Sequence, residues 1–305
     1  MLFNYIIKRI IEIIPLVIAI SIIVFIVIQL PPGDFLTTYI QQLELSGTEV
    51  SKGAIESLKR QYGLDKPGYM QYFIWMKNII TKGDFGRSFQ WNMPVSKVIG
   101  ERLTLTIIIS LLTLIFVWVV AIPIGIYSAT HQYSFFDYFW TFIGFIGLAI
   151  PGFLLALILV YTIFIKTGVS ITGLFSPEFQ NAPWSWAKFA NMLPRVWLPI
   201  VIIGMSSTAG LIRTTRAMML DELQKQYVIT ARAKGVPEKR LLFKYPIRMA
   251  INPQISTIGW TLPGLISGES IVSIVLNLPP TGPVLLRALM FQDMYLAGSF
   301  LLILS

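Results

Sequence analysis

The chain has 305 residues, of which 55% are hydrophobic and only 13% charged, and its mean hydropathy is +0.70. Soluble domains carry about 25% charged residues, so this composition excludes an ordinary soluble protein, and it equally excludes disorder, which needs low hydrophobicity and high charge. The net charge of +9 comes without a soluble basic face interleaved with aromatics, which argues against nucleic acid as a partner.

Ile10 to Leu30 is the first long apolar run, flanked by Lys8 and Arg9 and interrupted by Glu12, Pro15, Ser21 and Gln29. It is too long for a signal-peptide core of about 7–15 residues, and Pro31-Pro32-Gly33-Asp34 is no small-residue cleavage site. A retained spanning helix is expected, with Glu12 snorkelling to the interface. Leu103 to Tyr127 and Phe139 to Ile165 are the second and third runs, both uncharged throughout, the third with Pro151-Gly152 midway. Val196 to Ile212, bracketed by Arg195 and Arg213, is the fourth and just reaches across about 30 Å of hydrocarbon. Ile255 to Leu278 is the fifth, interrupted by Pro263 and Glu269. Leu296 to Leu304 begins a sixth but extends only about 14 Å, so roughly ten further apolar residues are expected in the full protein.

Orientation follows from basic residues in short loops. Arg213 to Arg248 holds nine basic residues and three acidic ones, an excess that assigns this loop to the cytoplasm. Counting back places the N-terminus inside, with Lys8-Arg9, and the long segment Pro31 to Glu101 outside. The loop from His131 to Tyr138 then falls inside without a basic residue. No internal repeat relates the two halves, which disfavours the inverted-repeat architecture of secondary transporters.

The cytoplasmic loop carries the clearest local pattern. Asp221-Glu222 would open a helix whose Leu223, Tyr227 and Ala231 line one face, with Arg232 and Lys234 in its last turn and Gly235 as a left-handed stop. Pro237-Glu238 would start a second short helix through Leu241, Leu242 and Phe243 to Pro246. Such a pair suits docking onto a cytosolic partner or lying on anionic lipid, and the pattern alone allows both. The external segment, far longer than ordinary loops, should hold structure of its own. Its Gly83-Asp84-Phe85-Gly86-Arg87-Ser88 run predicts a fixed turn, either a structural cap or an external docking surface carried by Trp75, Asp84, Phe85 and Arg87. Glu269 follows a small-xxx-small pattern, Gly264 to Gly268, which brings helices close. A carboxylate inside an apolar run points to a translocation pathway; near the outer end it could instead reach headgroups.

Enzyme chemistry lacks parts. His131 is the sole histidine, no cysteine is present, no His/Asp/Glu cluster has metal-ligand spacing, and no Gly-Lys dipeptide exists to make a phosphate-binding loop. No catalytic, cofactor or metal site is expected in this chain.

Four ordered blocks carry a family resemblance: Lys8-Arg9 with Pro15 and Phe25 leading to Pro32-Gly33-Asp34; Tyr62-Gly63-Leu64-Asp65-Lys66-Pro67; Gly83 to Ser88 with Pro94-Val95; and Thr230-Ala231-Arg232-Ala233-Lys234-Gly235. In these the chain resembles the membrane-spanning B-type subunit of the oligopeptide/dipeptide/nickel family of bacterial ABC importers. The resemblance implies an all-α, six-span permease of the type I importer architecture. Its expected parts are the N-terminus and first span (1–30), an external segment (31–102) and a permease core (103–305) with its coupling loop at 213–253. It implies ATPase docking through Thr230, Ala231, Arg232, Ala233, Lys234, Gly235, Val236, Pro237, Lys239, Arg240, Leu241 and Leu242, although Ile229-Thr230 stand where the general motif has Glu-Ala. The implied partners are a homologous second permease, two cytosolic ATPases that use ATP and Mg, an external solute-binding protein, and the bilayer of a bacterial or archaeal plasma membrane. Ser273-Ile274-Val275-Leu276 and Pro279-Pro280 depart from the usual Glu-Thr-Val-Phe and Pro-Gly. Oligosaccharide therefore stands beside oligopeptide as cargo, and a passive channel or membrane scaffold is the alternative of another class.

Overall fold

A computed structural model describes residues 2–30, 53, 57, 65–168, 171–180, 182–268, 270–278 and 281–304. All named elements among them are helices, and they fall into two compact units, Met1–Thr104 with Thr281–Ser305, and Leu105–Pro280.

The first unit contains α1 (Leu2–Gln29), α2 (Gly68–Lys82), the start of α3 (Val95–Thr130), α11 (Thr281–Met290) and α12 (Met294–Leu304). Among the described side chains of α1, only Ser21, Phe25 and Ile28 are buried, a spacing that marks one narrow face. The Ser21 and Tyr72 hydroxyls lie 2.8 Å apart, and Phe25 meets the Tyr72 ring edge-on at 5.2 Å. Trp75, 2% exposed, covers Gly298 so closely that an added Cβ there would come within 3.0 Å of the indole. Elsewhere on α1, Ile11, Ile13, Ile14, Ile18, Ile22, Ile23 and Ile26 are exposed, as lipid contact would require. Glu12 pairs with Lys8 at 3.9 Å and Arg9 at 3.3 Å on that surface.

The second unit is built on one long helix, α6 (Trp186–Leu223), 38 residues with Pro194 and Pro199 inside. Ser185 caps its start by accepting from the Lys188 amide at 3.2 Å. The remainder of α3 packs along it with Gly204 against Phe116 and Val117, and Gly125 against Ile212 and Thr215, so the two helices run parallel. α4 (Phe135–Ala149) lies antiparallel, with Gly147 against Met205, Gly144 against Ala209, and Asp137 against Arg216. The glycines at four of these contacts let the backbones approach where lipid supplies no hydrophobic drive. These directions are the ones that alternating passage of the second, third and fourth apolar runs requires.

One expected span is corrected. Phe139 to Ile165 is not one helix: α4 ends at Ala149, α5 (Gly152–Thr167) begins after Pro151, and the pair is bent by 102°. Proline lacks the amide that would continue the ladder and drives its predecessor out of the helical region; Ile150 sits at φ −90° and ψ 121°. The expected fifth span falls on α9 (Pro246–Gly268) and α10 (Ser270–Val275), with Glu269 between them outside the described residues. Among the described residues three single helices, Phe3–Gln29, Val95–Thr130 and Trp186–Leu223, are long and apolar enough to cross a membrane, and α4–α5 adds a fourth if counted as one.

Candidate functional site

The segment after α6 was expected to begin a helix at Asp221-Glu222. Instead α6 continues through both residues, and α7 (Gln226–Ala233) begins after Lys225, whose backbone is extended at φ −69° and ψ 146°. The acidic pair therefore sits at the negative end of a helix dipole, and Tyr227 compensates by donating its hydroxyl to Glu222 across the break. Burial and that bond to a carboxylate push the Tyr227 phenol up to about 12. The buried face also differs from the expected one: Val228 and Ala231 are buried while Tyr227 is 39% exposed. One extended residue shifts the helical phase, which periodicity cannot register.

The end of α7 agrees with its sequence. Gly235 has φ +74°, its amide donates to the Arg232 carbonyl at 3.0 Å, and the Val236 amide reaches back to the Ala231 carbonyl at 3.3 Å. That is a Schellman stop, with Val236 packed near Ala231 as the motif's apolar contact. Pro237 then precedes α8 (Glu238–Lys244), seven residues long. Leu241 is fully buried with Val228 and Ala231, and Val236, Leu242 and Tyr245 complete this small core. Arg232 forks onto Glu238 at 3.2 and 2.6 Å, and hydrogen bonding from that guanidinium holds the Glu238 carboxyl below its ordinary range. Both side chains are about half exposed, so the pair contributes at most about 1 kcal/mol. Thr230, Ala233, Lys234, Pro237, Lys239 and Arg240 are exposed. Among the expected coupling residues, then, Ala231 and Leu241 build the module while the basic ones form its surface.

The Gly83–Ser88 turn forms as expected. Gly83 ends α2 at φ +63°, the Gly86 amide donates to Asp84 Oδ1 at 2.9 Å, and Gly86 at φ +89° leaves room for Tyr295. Arg87 is tied to Asn92, through Nε to Oδ1 at 2.9 Å and through Nη2 to the carbonyl at 2.7 Å, which closes a tight loop back to Pro94. Asp84 and Arg87 are exposed, Phe85 is half-buried, and Trp75 lies in the core instead of on the surface. Beneath the turn Asp293 is fully buried, accepting from the Ser88 hydroxyl at 2.5 Å and the amides of Gln90 and Leu296 at 3.1 and 3.3 Å. Desolvation raises its carboxyl above the ordinary aspartate range despite those bonds. Glu269, Tyr62-Gly63-Leu64, Pro32-Gly33-Asp34 and Pro279-Pro280 lie outside the described residues; Gly264 and Gly268 fall within α9.

Two buried carboxylates escaped the sequence reading. Asp137 was placed in a loop, although Ser134-Phe-Phe-Asp137 has the spacing of a capping box. In the fold the Ser134 hydroxyl accepts from the Asp137 amide at 3.2 Å, and Asp137 receives Arg216 in bidentate fashion at 3.1 and 3.0 Å. Asp293 has no comparable local signal, because its partners are distant in sequence.

Residues 121–305 match the family described as the binding-protein-dependent transport system inner membrane component, and residues 2–112 match its N-terminal counterpart. The chain belongs to this family. Within it, the oligopeptide transport system permease protein AppB of Bacillus subtilis (strain 168) is 35% identical over 290 residues, covering 95% of this chain and 88% of AppB. The dipeptide transport system permease protein DppB of Alkalihalophilus pseudofirmus is 28% identical over 321 residues, covering 99% and 92%. The resemblance to the B-type permeases of peptide ABC importers thus extends across nearly the whole chain. The inner-membrane component family accounts for the apolar helices, and its matched region contains both the α7–α8 module and the Asp137–Arg216 pair.

Proposed function

We propose that this chain is the permease subunit of an ATP-driven importer and lines the pathway through which oligopeptides or similar small oligomers cross the inner membrane. The observation that carries this reading is the α7–α8 module: a glycine-stopped helix pair with its own apolar core and a basic exposed surface. The names of the similar permeases favour peptide cargo over oligosaccharide. In this reading the chain crosses six times with its N-terminus inside. It pairs with a homologous permease, receives cargo from an external binding protein at the Asp84–Arg87 turn, and docks two ATPases, which consume ATP and Mg, around Thr230 to Leu242. Binding of ATP draws the α7–α8 modules together and opens the pathway outward; hydrolysis resets it. Glu269, with Gly264 and Gly268, would face that pathway.

Lys239→Glu with Arg240→Glu tests the docking face, since both residues are exposed and charge reversal leaves the Val228–Leu241 core in place. The variant should insert normally and lose its ATPases on co-purification, together with ATP-driven uptake. Retention of both would refute docking at this surface, whereas a native chain that purifies without ATPases would favour a passive channel.

A further inference from the structure

We propose that Asp137 and Arg216 are positioning residues that make α4 follow α6, so that displacement of the coupling module reaches the bend at Pro151. This inference rests on the importer reading above.

α6 ends at Leu223, and only Gln224 and Lys225 separate it from α7, with the Tyr227–Glu222 bond spanning the gap. Any force on α7–α8 therefore enters the inner end of α6. From there α6 touches α4 through small and flexible apolar groups, Ala209 at Gly144 and Met205 at Gly147. Such contacts are non-directional, and smooth helix faces can slide over one another by shear. The Asp137–Arg216 pair is different. Asp137 is the only charged residue of α4, its side chain is 4% exposed, and both of its oxygens are held by the Arg216 fork. The same carboxylate accepts the Tyr133 amide at 3.1 Å, with Tyr133 at φ +61°, so the turn entering α4 is pinned to the same point. A bidentate, charge-assisted pair fixes direction as well as distance, and separating a buried carboxylate from its partner is strongly disfavoured. α4 must then move with α6 at this end.

At its other end α4 stops at the 102° bend, where Gly152 lies against Val272 of α10, an added Cβ falling 3.3 Å from it, with Ile202 of α6 at 4.0 Å. A helix held at its inner end and bent at its outer end turns axial displacement into a change of angle at Pro151. The ion pair is accordingly a clasp between the ATPase-driven rod and the broken helix.

The chain has no cysteine, so Phe153→Cys, at a position 40% exposed beside the bend, accepts a bimane label without further engineering. The labelled permease is assembled with its second permease and ATPases in proteoliposomes. ATP hydrolysis and bimane emission are recorded with and without ATP plus vanadate. With Asp137 and Arg216 intact, the emission should shift on ATP trapping. Asp137→Asn and Arg216→Gln should cut that shift at least fivefold while hydrolysis per assembled complex stays within twofold, and Arg216→Lys should give an intermediate shift. Should Asp137→Asn fail to accumulate, the two Arg216 variants carry the comparison, because that side chain is partly exposed and its removal is milder. An undiminished shift in the variants, or no shift in the intact background while ATP is hydrolysed, overturns the clasp. A complex that neither assembles with ATPases nor hydrolyses ATP overturns the importer reading instead.

Discussion

Replacing Asp293 by asparagine tests the stitch beneath the Gly83–Ser88 turn. The carboxylate is fully buried and accepts hydrogen bonds from the Ser88 hydroxyl at 2.5 Å, the Gln90 amide at 3.1 Å and the Leu296 amide at 3.3 Å. An asparagine offers one accepting oxygen in place of two. Whichever way it turns, its NH2 group faces a backbone amide that can only donate. One charge-assisted bond is lost and one amide is orphaned, which together cost about 2–4 kcal/mol. Relief of the buried charge offsets part of this, leaving a net loss of about 2 kcal/mol near neutral pH.

The pH dependence supplies a second, independent readout. Burial raises the Asp293 carboxyl above its ordinary value, so the folded state binds its proton more tightly than the unfolded chain. Stability from that proton is fully present below the unfolded value and is lost as pH rises through the folded one. Asparagine does not titrate, so the gap between native protein and variant should widen as pH falls from neutral. Equilibrium unfolding in mixed micelles, followed by tryptophan fluorescence at several pH values, measures both quantities. Ser88→Ala is the companion variant: it removes the shortest bond and also the acceptor of the Trp91 amide, for about 2–3 kcal/mol. An Asp293→Asn protein within about 0.5 kcal/mol of native, or a gap that narrows on acidification, would refute this account.

Trp75→Ala should destabilise the first unit by about 3–5 kcal/mol in the same assay, since the indole is 2% exposed and fills the space over Gly298; a loss below about 1 kcal/mol would return Trp75 to the surface role expected from sequence. Gly125→Ala places a Cβ 2.6 Å from Thr215 Cβ and 3.0 Å from the Ile212 carbonyl oxygen. The α3–α6 seam must then open, at about 1–3 kcal/mol, which thermal unfolding in detergent would register.

By itself the sequence determined what is local or compositional. Length and hydropathy required a helical membrane chain, and the long runs around Leu103 and Val196 lie inside the helices they predict. The Gly235 stop, the Pro237 start and the Gly83–Ser88 turn were legible because each depends on the backbone preferences of one or two residues. The ordered motifs across the chain pointed to the permease family that the comparisons then established. Tertiary structure decided what depends on partners far apart in sequence or on one residue's backbone state. The extended conformation of Lys225 moved Asp221 and Glu222 from the start of one helix to the end of another. Pro151 turned an expected span into a sharply bent pair, because a uniform apolar run carries no information about direction. Asp137 was read as a loop residue and Asp293 gave no signal until Arg216 and Ser88 came within hydrogen-bond reach, since burial of a charge is settled by the partner that compensates it, and that partner is chosen by packing.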